Sequence, residues 1–302
     1  MRLVSVWLLK AACTAALLGW LLSRPEVRGG LQSLSHFTPT WLLAGFFMAG
    51  TSQLFTAWRW HVCLQTAGTP LPFESVLRLT LISTAAGFLS IGTLGTDAAR
   101  VALAARRCPG QKAALLGSIG LDHASAVPAF AGMALVVLST AGVQFNAGPW
   151  TGLVVLASVA GFILIGLILR RFRPALHDRL LAFFLEAKTR SGVLKAALLS
   201  VPVMFTHYAV FFCAARALNV IVPPVPFAAA AATADLVASL PITIAGLGVR
   251  EKAFETLLGL WHGVPAASSI ALSLAGLGLI LFWGMIGAIC FLAEPVKPVP
   301  QT

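Results

Sequence analysis

Apolar runs of about twenty residues recur along the whole chain, and short segments that carry most of the charges separate them. A helix needs about 20 apolar residues to cross the ~30 Å hydrocarbon core of a bilayer. Two runs, 73–95 and 227–246, end in a glycine-rich interruption. Six others reach spanning length without one: 3–23, 40–62, 113–141, 150–170, 195–216 and 266–292. The pattern predicts an all-α polytopic membrane protein with about six full spans and two broken segments.

The composition supports this class and argues against others. Of the 302 residues, 58% are hydrophobic and 10% are charged, whereas soluble domains carry about 25% charged residues. The apolar residues do not alternate with polar ones, as the strands of a transmembrane barrel would require. The net charge of +11 comes from basic residues in short loops, which is typical of cytosolic loops rather than of nucleic-acid binding. The cysteines and histidines lack metal-ligand spacing, so we expect neither a metal nor another cofactor.

The stretch 226–261 contains the clearer of the two interruptions. Pro241, Gly246 and Gly248 make a continuous helix improbable there, because proline removes a hydrogen bond and glycine adopts left-handed backbone. A second half-helix should begin near Val249 and direct its unpaired N–H groups at the break. Arg250 in its first turn is unfavourable by ~0.3–1 kcal/mol, which either Glu251 or a bound anion such as a lipid phosphate could offset.

The two halves of the chain resemble each other. Pro72-Phe73 and Pro226-Phe227 open the broken segments 154 positions apart, and residues 91–97 match residues 244–250 at a spacing of 153. The matched stretches contain Gly92 and Gly95 in the first half, and Gly246 and Gly248 in the second. We therefore expect a single membrane domain over 1–302, with repeat halves 1–148 and 149–295 and a disordered tail at 296–302.

Re-entrant broken segments would give each half three crossings and invert the second half relative to the first. Both termini would then be cytosolic, with sixteen basic residues inside and five outside. Fully spanning segments would give fifteen inside and six outside, so charge does not decide. We favour the re-entrant arrangement because the pieces after each break are short and amphipathic.

Several motifs resemble one family. They are Arg59-Trp60, Ala67-Gly68, the stretch 92–100 (GTLGTDAAR), and Leu240-Pro241-Ile242 followed by 246–251 (GLGVRE). Together they resemble the flippase-like membrane region of lysylphosphatidylglycerol synthases, over nearly the whole chain. Some stand-alone members are linked with hopanoid or polyprenyl-phosphate-sugar metabolism. The resemblance implies a translocase-like role in a bacterial cytoplasmic membrane.

Two departures qualify the resemblance. Gly95-Thr96-Asp97 stands where the family usually has Gly-Gly-Asp, which would stiffen the first break. The soluble aminoacyl-transfer domain is absent from this sequence, so the synthase activity is not expected and the protein is predicted not to be an enzyme.

Five further residues are candidates for chemistry in the membrane. Asp97 and Arg100 share a helical face, either as an N-cap with its partner or as half of an anion site. Asp122 and Asp235 lie inside apolar runs, as coupling or arginine-pairing groups or as neutral acids bonded to serine. Arg59, between Trp58 and Trp60, is interpreted first as an interface anchor and second as a substrate contact.

The preferred hypothesis is an anionic-lipid or polyprenyl-phosphate translocase in which Arg100 and Arg250 hold the phosphate. The substrate contacts would come from both breaks: Asp97, Gly92, Gly95, Gly246, Gly248 and Glu251. A lipid-phosphate transferase that uses Asp97 as its base and a non-transporting scaffold are the alternatives. A transferase makes a new compound in detergent, whereas a translocase makes none.

Overall fold

A computed structural model of the chain describes residues 37–88, 93–144, 187–239 and 246–292, with isolated positions elsewhere. These ranges are helical and contain no strand: α1 (Pro39–Thr66), α2 (Phe73–Phe88), α3 (Thr93–Ala105), α4 (Lys112–Gln144), α5 (Ala187–Ala217), α6 (Pro224–Ala238), α7 (Val249–His262) and α8 (Ala266–Leu292). The prediction of an all-α protein is confirmed for them. The predicted spans at 3–23 and 150–170, the tail at 296–302 and Gly92 lie outside the described residues.

Two of the described helices are long and apolar enough to cross a membrane, Thr189–Ala217 within α5 and Ala266–Ile289 within α8. One side of α5 faces outward with a stripe of large apolar side chains: Leu194, Leu198, Val201 and Phe205, each between 58% and 72% exposed. Their spacing of three or four residues places them on one helical face. Such a face would be costly in water and suits contact with lipid chains.

Helices α1 and α5 pack along most of their length and run antiparallel. At one end, the Thr38 amide that precedes α1 donates to the Ala217 carbonyl at the end of α5, at 2.9 Å. At the other end, Gly192 near the start of α5 lies against Thr66, the last residue of α1, so closely that a Cβ would overlap it. A glycine is therefore required where the two helices meet.

Each half of the chain forms its own apolar core. The first-half core runs from Trp60 on α1 to Leu121 on α4 and takes in one residue of α5, Ala196. The second-half core runs from Met204 on α5 to Leu272 on α8, and Phe211, Phe227 and Phe254 lie at its centre. Two cores of this kind are what a duplicated chain would produce.

The helix contacts follow the same division. When α1, α2, α3 and α4 are matched with α5, α6, α7 and α8, each extensive contact between described helices has a counterpart. For example, α2 packs on α8 as α6 packs on α4, and α3 packs on α4 as α7 packs on α8. Helix α1 packs on its own equivalent, α5.

The two arms of each broken segment pack against each other, α2 on α3 and α6 on α7. The second arm α7 begins at Val249, as predicted, after Gly248 with φ of 85°. Gly246 also has positive φ, 74°, and a Cβ there would lie 2.5 Å from that of Ala238 at the end of α6. Only glycine meets both conditions, because other residues strain at positive φ and would collide with α6.

The first break differs from the prediction. Helix α3 begins at Thr93, so Gly95 and Asp97 lie within a helix. The expectation that Gly95 belongs to the break is therefore wrong. A single glycine inside a helix costs only about 1 kcal/mol relative to alanine, and the neighbouring Ala98 and Ala99 favour the helical state.

Candidate functional site

The first cluster of charges forms around Asp122 of α4, which is 2% exposed. Arg59 of α1 holds both carboxylate oxygens, with Nε 2.7 Å from Oδ1 and Nη2 3.1 Å from Oδ2. The remaining Arg59 nitrogen, Nη1, donates to Ser200 Oγ of α5 at 3.2 Å. A planar guanidinium fits a carboxylate in this two-pronged way, so three helices are tied together at one point.

Arg100 of α3 adds a second cation to the same carboxylate. Its Nη1 lies 3.3 Å from Asp122 Oδ2 and 3.9 Å from Asp97 Oδ1. Its guanidinium carbon lies 5.2 Å from the ring centre of Trp60, within the range of a cation–π contact. Arg100 is 6% exposed, and its buried Nε has no hydrogen-bond partner.

Asp97 extends the first cluster toward His123 of α4. The two side chains meet with Nε2 2.7 Å from Oδ2, and the imidazole is 56% exposed. Because α3 begins four residues earlier, Asp97 is not an N-cap, and that alternative is wrong. The predicted pairing of Asp97 with Arg100 across one helical face is present at the longer distance given above.

The structure also decides between the alternatives for Arg59 and Asp122. Arg59 is not an interface anchor, because its side chain is 12% exposed and bonded to Asp122. Of its two aromatic neighbours, Trp58 is 51% exposed and Trp60 is fully buried, so only one suits an interface. Asp122 pairs with arginines rather than serines: Ser118 accepts from Trp60, and Ser125 donates to the Asp122 backbone carbonyl.

The second cluster forms around Asp235 of α6. His207 of α5 places Nε2 2.7 Å from Oδ2, and Arg250 of α7 places Nε 3.2 Å from Oδ1. The guanidinium carbon of Arg250 lies 5.8 Å from the ring centre of Phe211. Its Nη1 is buried and has no hydrogen-bond partner. Asp235 therefore pairs with a cation, as one of its alternatives required.

Glu251, at the third position of α7, serves the fold at this break. It is fully buried, accepts from the Gly248 amide at 2.6 Å, and accepts from Ser273 Oγ of α8 at 2.7 Å. A carboxylate that bonds back to the residue before the helix satisfies an otherwise unpaired N–H group. It also offsets the unfavourable position of Arg250 near the positive helix end.

Helix α5 connects the two clusters. Ser200, which contacts the first, and His207, which contacts the second, are seven residues apart on one face, roughly 10.5 Å along the axis. Ser200 also donates to the Ser125 carbonyl of α4 at 3.2 Å. Arg100 and Arg250 thus belong to neighbouring clusters and not to one shared pair.

Sequence reasoning missed both histidines. Neither His123 nor His207 was selected as a site residue, because the histidines lack metal-ligand spacing, yet each bonds an aspartate. The available signal was their position inside apolar runs, because ionisable residues there usually pair or line a cavity.

A surface cavity lies elsewhere in the described part of the chain, between α1, α2 and α8. Its lining is mostly apolar: Phe47, Gly50, Thr51, Gln53, Leu54, Leu77, Leu81 and Trp283. The side chains of the two charge clusters are not among its lining residues.

Comparison with known proteins identifies the family. A sequence model described as the lysylphosphatidylglycerol synthase TM region matches residues 7–288, which is nearly the whole chain. A search of curated proteins gives no match. The matched region contains every helix that carries the two clusters. The chain therefore belongs to the family of the lysylphosphatidylglycerol synthase transmembrane region, and it is a helical membrane protein related to lipid function.

Proposed function

We propose that this protein translocates an anionic lipid, or a polyprenyl-phosphate-type lipid, between the two leaflets of the bacterial cytoplasmic membrane. The observation that carries the proposal is Arg250 Nη1, a buried donor without a partner beside the break before α7. A buried donor left unsatisfied costs about 1–3 kcal/mol, and more when it is charged. A phosphate oxygen would satisfy it.

The charges around Arg250 explain how the site exists without a lipid. An unpaired cation at membrane depth is strongly unfavourable, and Asp235 supplies the compensating charge at 3.2 Å. A phosphate that reached Arg250 would add a second acceptor or take the place of this carboxylate. The N–H groups at the start of α7 would add to the attraction, although Glu251 occupies the Gly248 amide.

The helix arrangement supports an inverted repeat with re-entrant segments. The matched helices α1 and α5 run antiparallel, which an axis in the membrane plane produces and an axis along the membrane normal would not. The packed arms α2–α3 and α6–α7 have the side-by-side contact of a helical hairpin. In this arrangement both termini are cytosolic and the two breaks approach the bilayer centre from opposite sides.

Arg100 is proposed as a second phosphate contact. During translocation the lipid phosphate would contact Arg100 and Arg250 one after the other, in an order that depends on the direction of transport. Its Nε is buried without a partner, and Asp122 keeps Arg59 as a counter-ion if Arg100 turns away. Ser200 and His207 lie on the face of α5 between the two arginines, and the phosphate is proposed to pass along this face from one arginine to the other. Asp97 and Asp122 are proposed to compensate the cations when no lipid is present.

The test is the rate at which a fluorescent anionic phospholipid exchanges between leaflets of proteoliposomes. Arg250→Ala should lower that rate by at least tenfold, because a charge-assisted hydrogen bond contributes about 1.5–3 kcal/mol. The matched control is Arg216→Ala, since Arg216 stacks on Trp41 at 5.5 Å and lies at the end of α5, away from the cluster. Exchange at the wild-type rate in folded Arg250→Ala protein would refute the proposal.

A second candidate function is favoured by one observation, the Asp97–His123 pair. An exposed imidazole that is oriented by a carboxylate has the arrangement of a general base, and this favours a transferase acting on a lipid phosphate as the second candidate. Purified protein incubated in detergent with lipid phosphate and an acceptor alcohol distinguishes the two. A new lipid product that disappears in His123→Gln would favour the transferase.

A further inference from the structure

We infer that His207 takes up a proton when an anionic head group binds at Arg250, so that the lipid and the proton are bound together. This inference rests on the proposed function, since it concerns the same arginine. His207, Asp235 and Arg250 come from three different helices, α5, α6 and α7, and meet on a single carboxylate.

The charge count at the cluster leads to this conclusion. Asp235 contributes one negative charge and Arg250 one positive charge, so these two charges cancel and the cluster with an unprotonated His207 is neutral. A phosphodiester brings one more negative charge into a site where the carboxylate is 19% and the guanidinium 14% exposed. An uncompensated buried charge is costly. A proton on His207 restores neutrality.

The geometry allows the exchange of partners. His207 and Arg250 contact different oxygens of Asp235, Oδ2 and Oδ1. An imidazolium can therefore hold the carboxylate while Arg250 turns its Nε, together with the unpartnered Nη1, toward a phosphate. The Phe211 ring lies against both side chains, 5.6 Å from the imidazole centre and 5.8 Å from the guanidinium carbon. The Phe211 ring would therefore provide an apolar surface to the imidazole and to the guanidinium while Arg250 changes from the carboxylate to the phosphate.

Several other ionisable groups on the elements around His207 have partners of their own. On α4 and α1, Asp122 is held by Arg59, and His123 by Asp97. On α7, Glu251 bonds the Gly248 amide and Ser273, and Glu255 pairs with Lys252 at 3.1 Å. Tyr208, the neighbour of His207 on α5, is 7% exposed and contacts its ring edge-on. Among these groups, His207 is the one in contact with the Asp235 and Arg250 pair.

The experiment measures how pH changes the binding of a short-chain fluorescent phosphatidylglycerol. The full-length protein is placed in phosphatidylcholine nanodiscs and titrated between about pH 5 and 8, where histidine changes charge. If one proton is linked, affinity falls by about tenfold per pH unit as His207 deprotonates. Calorimetry in buffers of different ionisation enthalpy should show uptake of one proton per lipid, a readout that needs no variant.

Two variants make the assignment specific. His207→Gln keeps a donor for Asp235 but cannot gain a charge, so its affinity should stay at the weak, high-pH level and lose its pH dependence. His123→Gln is the matched control, because His123 has the same 2.7 Å contact with an aspartate but not with Asp235. It should keep the pH dependence of the wild type.

The outcomes separate this inference from the proposed function. Binding that is independent of pH in the wild type, yet lost in Arg250→Ala, would overturn the role of His207 and leave the phosphate site standing. A pH dependence that persists in His207→Gln, or that vanishes in His123→Gln, would overturn it as well. No binding of the probe at any pH would overturn the proton-linked site, while leaflet exchange remains the separate test of translocation.

Discussion

The two charge clusters lie close together, at Ser200 and His207 on one face of α5, but they are built differently. In the first cluster, two arginines donate to one carboxylate, that of Asp122, and Arg59 bonds both of its oxygens. In the second, Asp235 receives one arginine and one histidine, each through a single contact. The first is a clamp across α1, α3, α4 and α5, whereas in the second the central carboxylate itself is shared between an arginine and a histidine, a residue type that changes charge near neutral pH.

This difference concerns how easily the arginine of each cluster can leave its carboxylate. A two-pronged ion pair with a serine on its third nitrogen has little freedom to move. A single contact of 3.2 Å on Arg250 is more easily exchanged for another acceptor. The helix contacts of the two halves match, while the side chains around Asp122 and Asp235 differ. Under the proposed function, the second cluster is therefore the one whose arginine is released more easily to a phosphate.

The largest effect is expected when the clamp loses its anion. Asp122→Asn leaves Arg59 buried without a counter-ion and leaves Arg100 with only Asp97, at 3.9 Å. It should lower the free energy of unfolding by about 3–5 kcal/mol. Asp235→Asn leaves one arginine, Arg250, without its carboxylate, and it should lower the free energy of unfolding by a smaller amount. Thermal unfolding in detergent, followed by tryptophan fluorescence, measures both. Equal losses in the two variants would mean that the clusters do not differ in the proposed way.

An intermediate effect is expected at the breaks. Gly246→Ala should cost about 1–3 kcal/mol, because it strains a positive φ and drives a methyl group into Ala238. Gly95→Ala is the matched control in the first half, and it should be neutral or stabilising by about 1 kcal/mol, since Gly95 is helical. The same unfolding assay applies. A destabilised Gly95→Ala would show that the two breaks are more alike than the helix bounds indicate.

The smallest effect is expected for Arg100, and it concerns transport. Arg100→Ala leaves Asp122 paired with Arg59, so the protein should remain folded and exchange lipid roughly tenfold more slowly, at the low end of a charge-assisted contact. The loss should be smaller than that of Arg250→Ala in the same proteoliposomes. If Arg100→Ala lowered the exchange rate more than Arg250→Ala does, the first cluster and not the second would be the main binding site.

The sequence predicted the helices well because their signals are local. The run 266–292 coincides with α8, and Val249 begins α7, since apolar length, proline and glycine mark these limits within a few residues. Gly95 was misplaced because a glycine in a motif does not reveal its backbone conformation. The helical propensity of the alanines that follow it was decisive instead.

The pairing of Asp97 with Arg100 within α3 was predicted. The ion pairs between helices could not be predicted, because they depend on packing between distant parts of the chain. Arg59 bonds Asp122 from 63 positions away, and His207 bonds Asp235 from 28 positions away. From the sequence, Arg59 was interpreted as an anchor at the membrane interface because two tryptophans flank it. The prediction for Arg250 and Asp235 came closest, since each was expected to need a compensating charge, and each compensates the other.

The close fit of α1 against α5 has a mechanical consequence. These helices meet at both ends, through the Thr38–Ala217 hydrogen bond and through the contact of Gly192 with Thr66. A side chain larger than glycine at position 192 would push the end of α1 away from α5. Because α1 contributes to the first-half core and α5 mainly to the second-half core, such a change would disturb the packing of both halves at once.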